Sequence, residues 1–247
     1  MANPRNLSVD SYERDFLSAG YSENARATFL KKVYLHVLGA VLLMAGIIAA
    51  ICNVPSIGNA MMGLLGNAWM FVLIGFVAVT FIAQKMAYSQ TSRGVQYAGL
   101  GLYVLAQSVI ISPLVFYVTH PQMGLPNGGE IVMQAALITG LIFGGLTAVV
   151  YITGADFSFL RGFITIAGFA AMGLIFASFF FGGLTLGTWF SVAIIGLMAL
   201  TILYETSVIR DQFPPDAYVA AALALFGSIS TLFFYVLRLL LAFASED

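Results

Sequence analysis

One carboxylate in this 247-residue chain closes a long apolar run instead of lying in a connection between runs. It is Glu205, in Leu203-Tyr204-Glu205-Thr206-Ser207. Hydrocarbon offers a carboxylate no partner, so such a group requires an interior polar neighbour, an aqueous cavity or a membrane surface. Thr206 and Ser207 add hydroxyls beside it, and Ser228, Ser230 and Thr231 fall near the middle of the next apolar run. The chemistry these types suit is proton sensing and gating, because the charge on an embedded acid follows its surroundings. A plain charge among lipid headgroups is the competing reading of Glu205. For the three hydroxyls it is a bond back to the preceding turn of their own helix.

Asp156, in Thr153-Gly154-Ala155-Asp156-Phe157-Ser158, reads as a turn or helix-cap residue that supports its neighbours. His36 and His120 have no cysteine, carboxylate or histidine at metal-ligand spacing. Cys52 is the sole cysteine, which excludes an internal disulfide and a thiolate cluster. HExxH, GxSxG and GxxxxGK[ST] are all absent. Intramembrane aspartyl chemistry needs two facing carboxylates, and Glu205 stands alone. No catalytic residue, cofactor or metal is therefore expected. A net charge of −1 without a Lys/Arg cluster excludes a nucleic-acid partner.

The elements that must hold these groups follow from composition. The chain is 60% hydrophobic and 9% charged, where a soluble domain carries about 25% charged residues. The bilayer is its solvent, and about 20 apolar residues cross a hydrocarbon core of about 30 Å as a helix. Seven such segments run over about 33–51, 69–87, 95–118, 131–151, 163–181, 188–204 and 218–243. Turn-formers separate them, including Pro55 and Gly58, Pro121 and Pro126, Gly182 and Gly183, and Pro214 and Pro215. The fold expected is an all-α membrane protein: a polar cytoplasmic tail over 1–28, then a seven-helix transmembrane domain over 29–247.

Of the 10 Lys and Arg residues, all but Arg238 fall before the first segment, at the flanks of the second connection (Lys85 and Arg93), or in the fourth and sixth connections. By the positive-inside rule this places the N-terminus in the cytoplasm and Glu246 and Asp247 outside. Gly140 and Gly144, and Ala167 and Ala171, form small-xxx-small pairs, expected to mark close packing within the bundle or a dimer face. Pro113 is expected to kink the third segment.

The order of several short motifs resembles the transmembrane Bax inhibitor motif family, and within it the bacterial YccA-like branch of modulators of the FtsH protease. Thr153-Gly154-Ala155-Asp156-Phe157-Ser158-Phe159-Leu160 is similar to the family's connection between spans four and five. Leu203-Tyr204-Glu205-Thr206-Ser207 is similar to its acidic motif closing span six, and Phe243-Ala244-Ser245-Glu246-Asp247 to the ending of that branch. The resemblance implies a seven-helix bundle with the last helix central. It also implies a pH-sensitive latch of two acids in those members described as calcium leak channels, one closing span six and one in span seven. Glu205 matches the first position, and the second falls on Ser228, which cannot ionise. That departure weighs against a two-carboxylate latch.

The leading expectation is thus a bacterial inner-membrane protein that modulates FtsH by direct association. The alternative is a pH-sensitive cation leak passing calcium or protons, with Glu205 and Ser228 at the gate and Ser230 and Thr231 along the path. The surroundings of Glu205 discriminate between them: an apolar plug suits a modulator, a wet funnel suits a pore.

Overall fold

The computed structural model describes residues 6–89, 92–120, 127–181 and 186–245. Arg5, Pro121, Pro126, Gly182, Gly183, Glu246 and Asp247 lie outside the described residues. Among those described there are seven helices and no strand: α1 (Asn6–Cys52), α2 (Pro55–Ala87), α3 (Arg93–Thr119), α4 (Gly128–Thr153), α5 (Arg161–Phe180), α6 (Thr188–Asp211) and α7 (Tyr218–Ala244). A single 3-10 turn, Ser158–Leu160, leads into α5. Each helix contains a stretch long and apolar enough to cross a membrane. Successive spans reverse direction, so Lys31, Lys85, Arg93, Arg161 and Arg210 gather at one end of the bundle, and Arg238 reaches the opposite end to donate to the Leu186 carbonyl.

α7 is the central element. It is apolar all round, the pattern of a buried helix, and its first half is built from Ala220, Ala221, Ala222, Ala224 and Gly227, which let neighbours approach from several sides. Three separate clusters of buried side chains each draw on it: one through Leu223, Phe226 and Leu232, a second through Ala221, Leu225 and Ile229, a third through Tyr235. α5 is the opposite case. None of its span is buried, and it leans on α6 and the 3-10 turn at the rim.

The structure adds detail to three local expectations. First, the apolar segment expected over about 69–87 is a span over Met70–Ala87, and the helix that contains it begins earlier, at Pro55, because proline at the first helical position is compatible with a helix start and the following Ala, Met and Leu residues propagate it. The chain breaks helical geometry at Ala68 (φ −132°, ψ 23°), so the apolar part of α2 starts beyond a kink. Second, Pro113 stands inside α3, which continues on both sides of it. Third, Gly140 and Gly144 do not pack within the bundle, since a Cβ built on either meets nothing within 4 Å; of the two readings of that pair, only the dimer face is compatible with this placement. The close approach occurs instead at Gly99, where a Cβ would lie 2.7 Å from the Ala83 carbonyl oxygen and 2.7 Å from the Ala87 nitrogen, so α2 and α3 touch backbone to backbone. Ala167 and Ala171 do pack inward, against the cluster holding Ile194, Leu197 and Tyr235.

α1 is far longer than a span. Its 47 residues rise about 70 Å, against about 30 Å of hydrocarbon. The polar stretch ahead of the first apolar segment is helical from Asn6 and continuous with that segment.

Candidate functional site at the junction of α6 and α7

Glu205 sits six residues before the end of α6, about 9 Å of helix rise from it. Ser228 sits ten residues into α7. The two meet: the Ser228 hydroxyl donates to Glu205 Oε2 at 2.7 Å. A neutral donor to a carboxylate at this length is a charge-assisted hydrogen bond. Glu205 has no other protein donor among the described residues, and Ser228 is nearly inaccessible at 5% exposure.

The pair lines a cavity of about 290 Å³ with Gln84, Tyr88, Tyr103, Met198, Leu223, Ala224, Gly227 and Thr231. Tyr88 also lines a second cavity of about 370 Å³ at the Lys/Arg-rich end, bounded by Gln96, Gln212, Phe213 and Asp216. Tyr88 therefore stands between the open end and the acid. Toward the other end the bundle closes on the fully buried Ile202, Leu232 and Leu237 and on Val236. The acid thus has a cavity on one side and an apolar plug on the other. Neither of the two surroundings weighed in the sequence analysis occurs alone.

Backbone geometry brings the cavity wall close. Gly227 has no side chain where a Cβ would lie 2.6 Å from the Tyr103 hydroxyl, so only glycine lets that phenol reach α7. Tyr103 is held by an edge contact to Phe226 and accepts a hydrogen bond from Gln107 Nε2 at 3.2 Å.

Glu205, Thr206 and Ser207 are successive residues about 100° apart around α6, and each faces a different neighbour. Glu205 reaches α7. Thr206 is fully buried, with its hydroxyl beside Tyr34 of α1, which itself bonds Tyr151 of α4 at 3.4 Å. Ser207 accepts from the Phe157 backbone N–H at 3.0 Å and donates to Asp156 Oδ1 at 3.3 Å. One turn of α6 therefore bonds α7 and the connection before α5, and packs against α1 through Thr206.

That connection is a turn built on Asp156, whose two oxygens accept from the Ser158 N–H at 2.8 Å and the Ser158 hydroxyl at 2.9 Å. These bonds, the backbone one first, hold the Asp156 carboxyl below its usual range, with Ser207 and the Arg210 charge adding to them. Arg210 fastens the end of α4: its guanidinium donates to the Val150 carbonyl at 2.5 Å and to those of Gly154 and Ala155 at 3.1 and 3.2 Å. Gly154 ends α4 in the left-handed conformation (φ 63°), which glycine adopts without steric cost. Arg26 of α1 then caps α6. It donates to the carbonyls of Arg210, at 2.6 Å, and Ile209, both left unpaired by the helix end, and to that of Phe213 in the connection beyond, at 2.5 Å.

Of the residues singled out by sequence, Glu205, Ser228 and Thr231 come together at the cavity. Ser207 and Asp156 form a separate contact on another face of α6. Ser230 is fully buried and bonds back to the Gly227 carbonyl at 3.1 Å, so it lines no path; Thr231 also bonds back to that carbonyl, at 2.9 Å. Gln84, Tyr88 and Tyr103 escaped the sequence reading. The signal for two of them was there: Gln84 is a polar residue inside an apolar segment, and Gln107, one helical turn from Tyr103, is another.

Comparison with known proteins bears on this architecture directly. Residues 26–245 match the family model described as "Inhibitor of apoptosis-promoting Bax1". The chain belongs to the Bax inhibitor-1 family. Family resemblance extends to a BI1-like protein of Arabidopsis thaliana, 29% identical over 230 residues that cover 89% of this chain and 83% of that one. A Pseudomonas aeruginosa protein is 33% identical over 168 residues, 68% of this chain and 72% of its own. Protein LIFEGUARD 3 of Arabidopsis thaliana is 24% identical across 94% of this chain and 92% of its own length. This Bax inhibitor-1 family member is a membrane protein of seven spanning helices with α7 at the centre.

Proposed function

We propose that the chain is a non-enzymatic cation leak of a bacterial cytoplasmic membrane, with its Lys/Arg-rich end inside, and that the Glu205–Ser228 bond is its latch. The observation that carries this reading is the 2.7 Å bond itself. It joins the two positions where the family resemblance calls for a pair of acids. Ser228 cannot ionise, so this latch has a single titrating group, Glu205, held by a hydroxyl donor in place of a second acid. The cavity brings Glu205 within reach of the inner solution past Tyr88, and the apolar side chains beyond it close the path. Protonation of Glu205 removes the charge that Ser228 serves, loosening α6 from α7. An open path would present carboxylate and hydroxyl oxygens, the ligands calcium prefers.

The test is calcium flux into liposomes carrying the purified chain, measured across a pH series. Wild-type flux should change with pH, and Glu205→Gln should flatten that dependence. Flux that is the same at every pH and in the variant would remove the reading.

A second reading rests on a different observation, the length of α1. Its first turns lie beyond any span, as a helix that a partner on the cytoplasmic side can grip. This supports association with the FtsH protease. FtsH should co-purify with the chain from bacterial membranes and should be lost when residues 1–23 are deleted. An eluate free of FtsH would sink this second reading and leave the first untouched.

A further inference from the structure

At the Lys/Arg-rich end, on the lipid side of the α1–α3 contact and away from Glu205, two cations stand over one aromatic ring. The Lys32 ammonium lies 5.3 Å and the Arg93 guanidinium 4.9 Å from the centre of the Tyr218 ring. The ring is fixed. Tyr218 bonds Tyr97 through their hydroxyls at 3.2 Å, Tyr97 bonds His36 Nε2 at 3.0 Å, and His36 Nδ1 meets the Lys32 carbonyl at 2.7 Å. Neither cation is paired with a carboxylate among the described residues. Arg93 donates to the Gln96 amide oxygen and the Asp216 carbonyl, both uncharged, and the ion pair found among the described residues is Arg210 with Asp211. Unpaired positive charge at the headgroup level is therefore available to an anion.

Directly beneath lies a groove of about 300 Å³ between α1 and α3, reaching from His36 and Tyr97 to Leu43 and Val104. Seven residues along either helix amount to about 10 Å, two thirds of a leaflet about 15 Å thick. Its floor is opened by Gly39 and Gly101, where an added Cβ would meet nothing within 4 Å. Leu35 and Leu43 on its walls are more than half exposed.

We propose that this notch binds one anionic glycerophospholipid of the surrounding leaflet, its phosphate at Lys32 and Arg93 and one acyl chain in the α1–α3 groove. The charge selects an anionic headgroup over a zwitterionic one, whose own ammonium would be repelled. The groove selects an anion tethered to a hydrocarbon chain over a free one. The site is separate from the Glu205 cavity and does not depend on the latch.

The experiment is native mass spectrometry of the full chain in detergent, titrated with phosphatidylglycerol and phosphatidylcholine of identical acyl chains. Phosphatidylglycerol should be retained about tenfold better. Lys32→Gln and Arg93→Gln should each weaken its retention roughly fivefold, the usual worth of one cation at a membrane surface, while leaving phosphatidylcholine unchanged. Lys85→Gln and Arg161→Gln, at the same end but outside the groove, should leave both lipids unchanged. Gly39→Leu with Gly101→Leu, which fills the groove and suits a helix better than glycine, should weaken both lipids. Equal retention of the two lipids by the wild-type chain would overturn the proposal without any variant. So would displacement of phosphatidylglycerol by millimolar glycerol phosphate, which would make the site one for a free anion, or a loss as large from Lys85→Gln as from Arg93→Gln.

Discussion

Ser228→Ala removes the one protein donor to Glu205 among the described residues, and the structure sets how much that should cost. A hydrogen bond to a charged group contributes about 1.5–3 kcal/mol and a neutral one about 0.5–1.5 kcal/mol. The adjoining cavity of about 290 Å³ has room for water to take the place of the lost hydroxyl on the Glu205 side. That compensation puts the expected cost at about 1–1.5 kcal/mol, below the charged range and at the upper end of the neutral one. Reversible unfolding in mixed micelles, followed by circular dichroism, measures it. The informative form is a double-mutant cycle with Glu205→Ala, since each single variant also changes packing. The coupling energy should be about 1 kcal/mol or more, beyond the 0.3–0.5 kcal/mol within which independent sites add. Ser230→Ala, whose hydroxyl serves its own helix, should show no coupling to Glu205. A cycle that adds within about 0.5 kcal/mol would refute the reasoning, because the two side chains would then not hold each other.

The remaining expectations test the frame around that contact. Gly99→Ala should destabilise by about 1–3 kcal/mol because its Cβ meets α2 backbone, whereas Gly140→Ala should be neutral or stabilising in the same thermal melt. Gly227→Val should push the Tyr103 phenol away from α7 and cost about 1–3 kcal/mol, with a change in tyrosine near-ultraviolet circular dichroism reporting the displacement. Arg210→Gln, which gives up the charged hold on the end of α4, should lower the midpoint and speed proteolysis in the connection around Asp156. Asp156 has a depressed pKa, so its stabilising contribution is present above the ordinary carboxylate value of about 3.9 and is lost as pH falls through the lower folded value. The difference in midpoint between wild type and Asp156→Asn should therefore be constant near neutrality and shrink on acidification below about pH 4; a difference that grows there would contradict the turn geometry.

Hydropathy alone located the spans, because a run of apolar residues needs no partner to be recognised. It gives no azimuth, and the errors follow from that. Gly140 and Gly144 have the spacing of a packing motif, yet they face outward, while the real contact at Gly99 depends on which side α2 passes. The polar stretch before Asn24 is silent in hydropathy, so its helix could not be separated from a tail. Glu205 stood out because an acid in an apolar run is conspicuous, but its pairing with Ser228 came from the family resemblance and not from spacing. Arg26 illustrates the limit most clearly. It reads as one more basic residue ahead of a span, and its partner carbonyl lies 184 positions away.

That same arginine links two regions separated by the membrane surface. The helix it belongs to emerges into solution, and the helix end it grips is five residues past Glu205. A load applied to the emergent portion would reach the element that carries the acid through the carbonyls of Ile209 and Arg210. A soluble factor tugging on the chain outside the bilayer would shift the acid inside without ever entering the span.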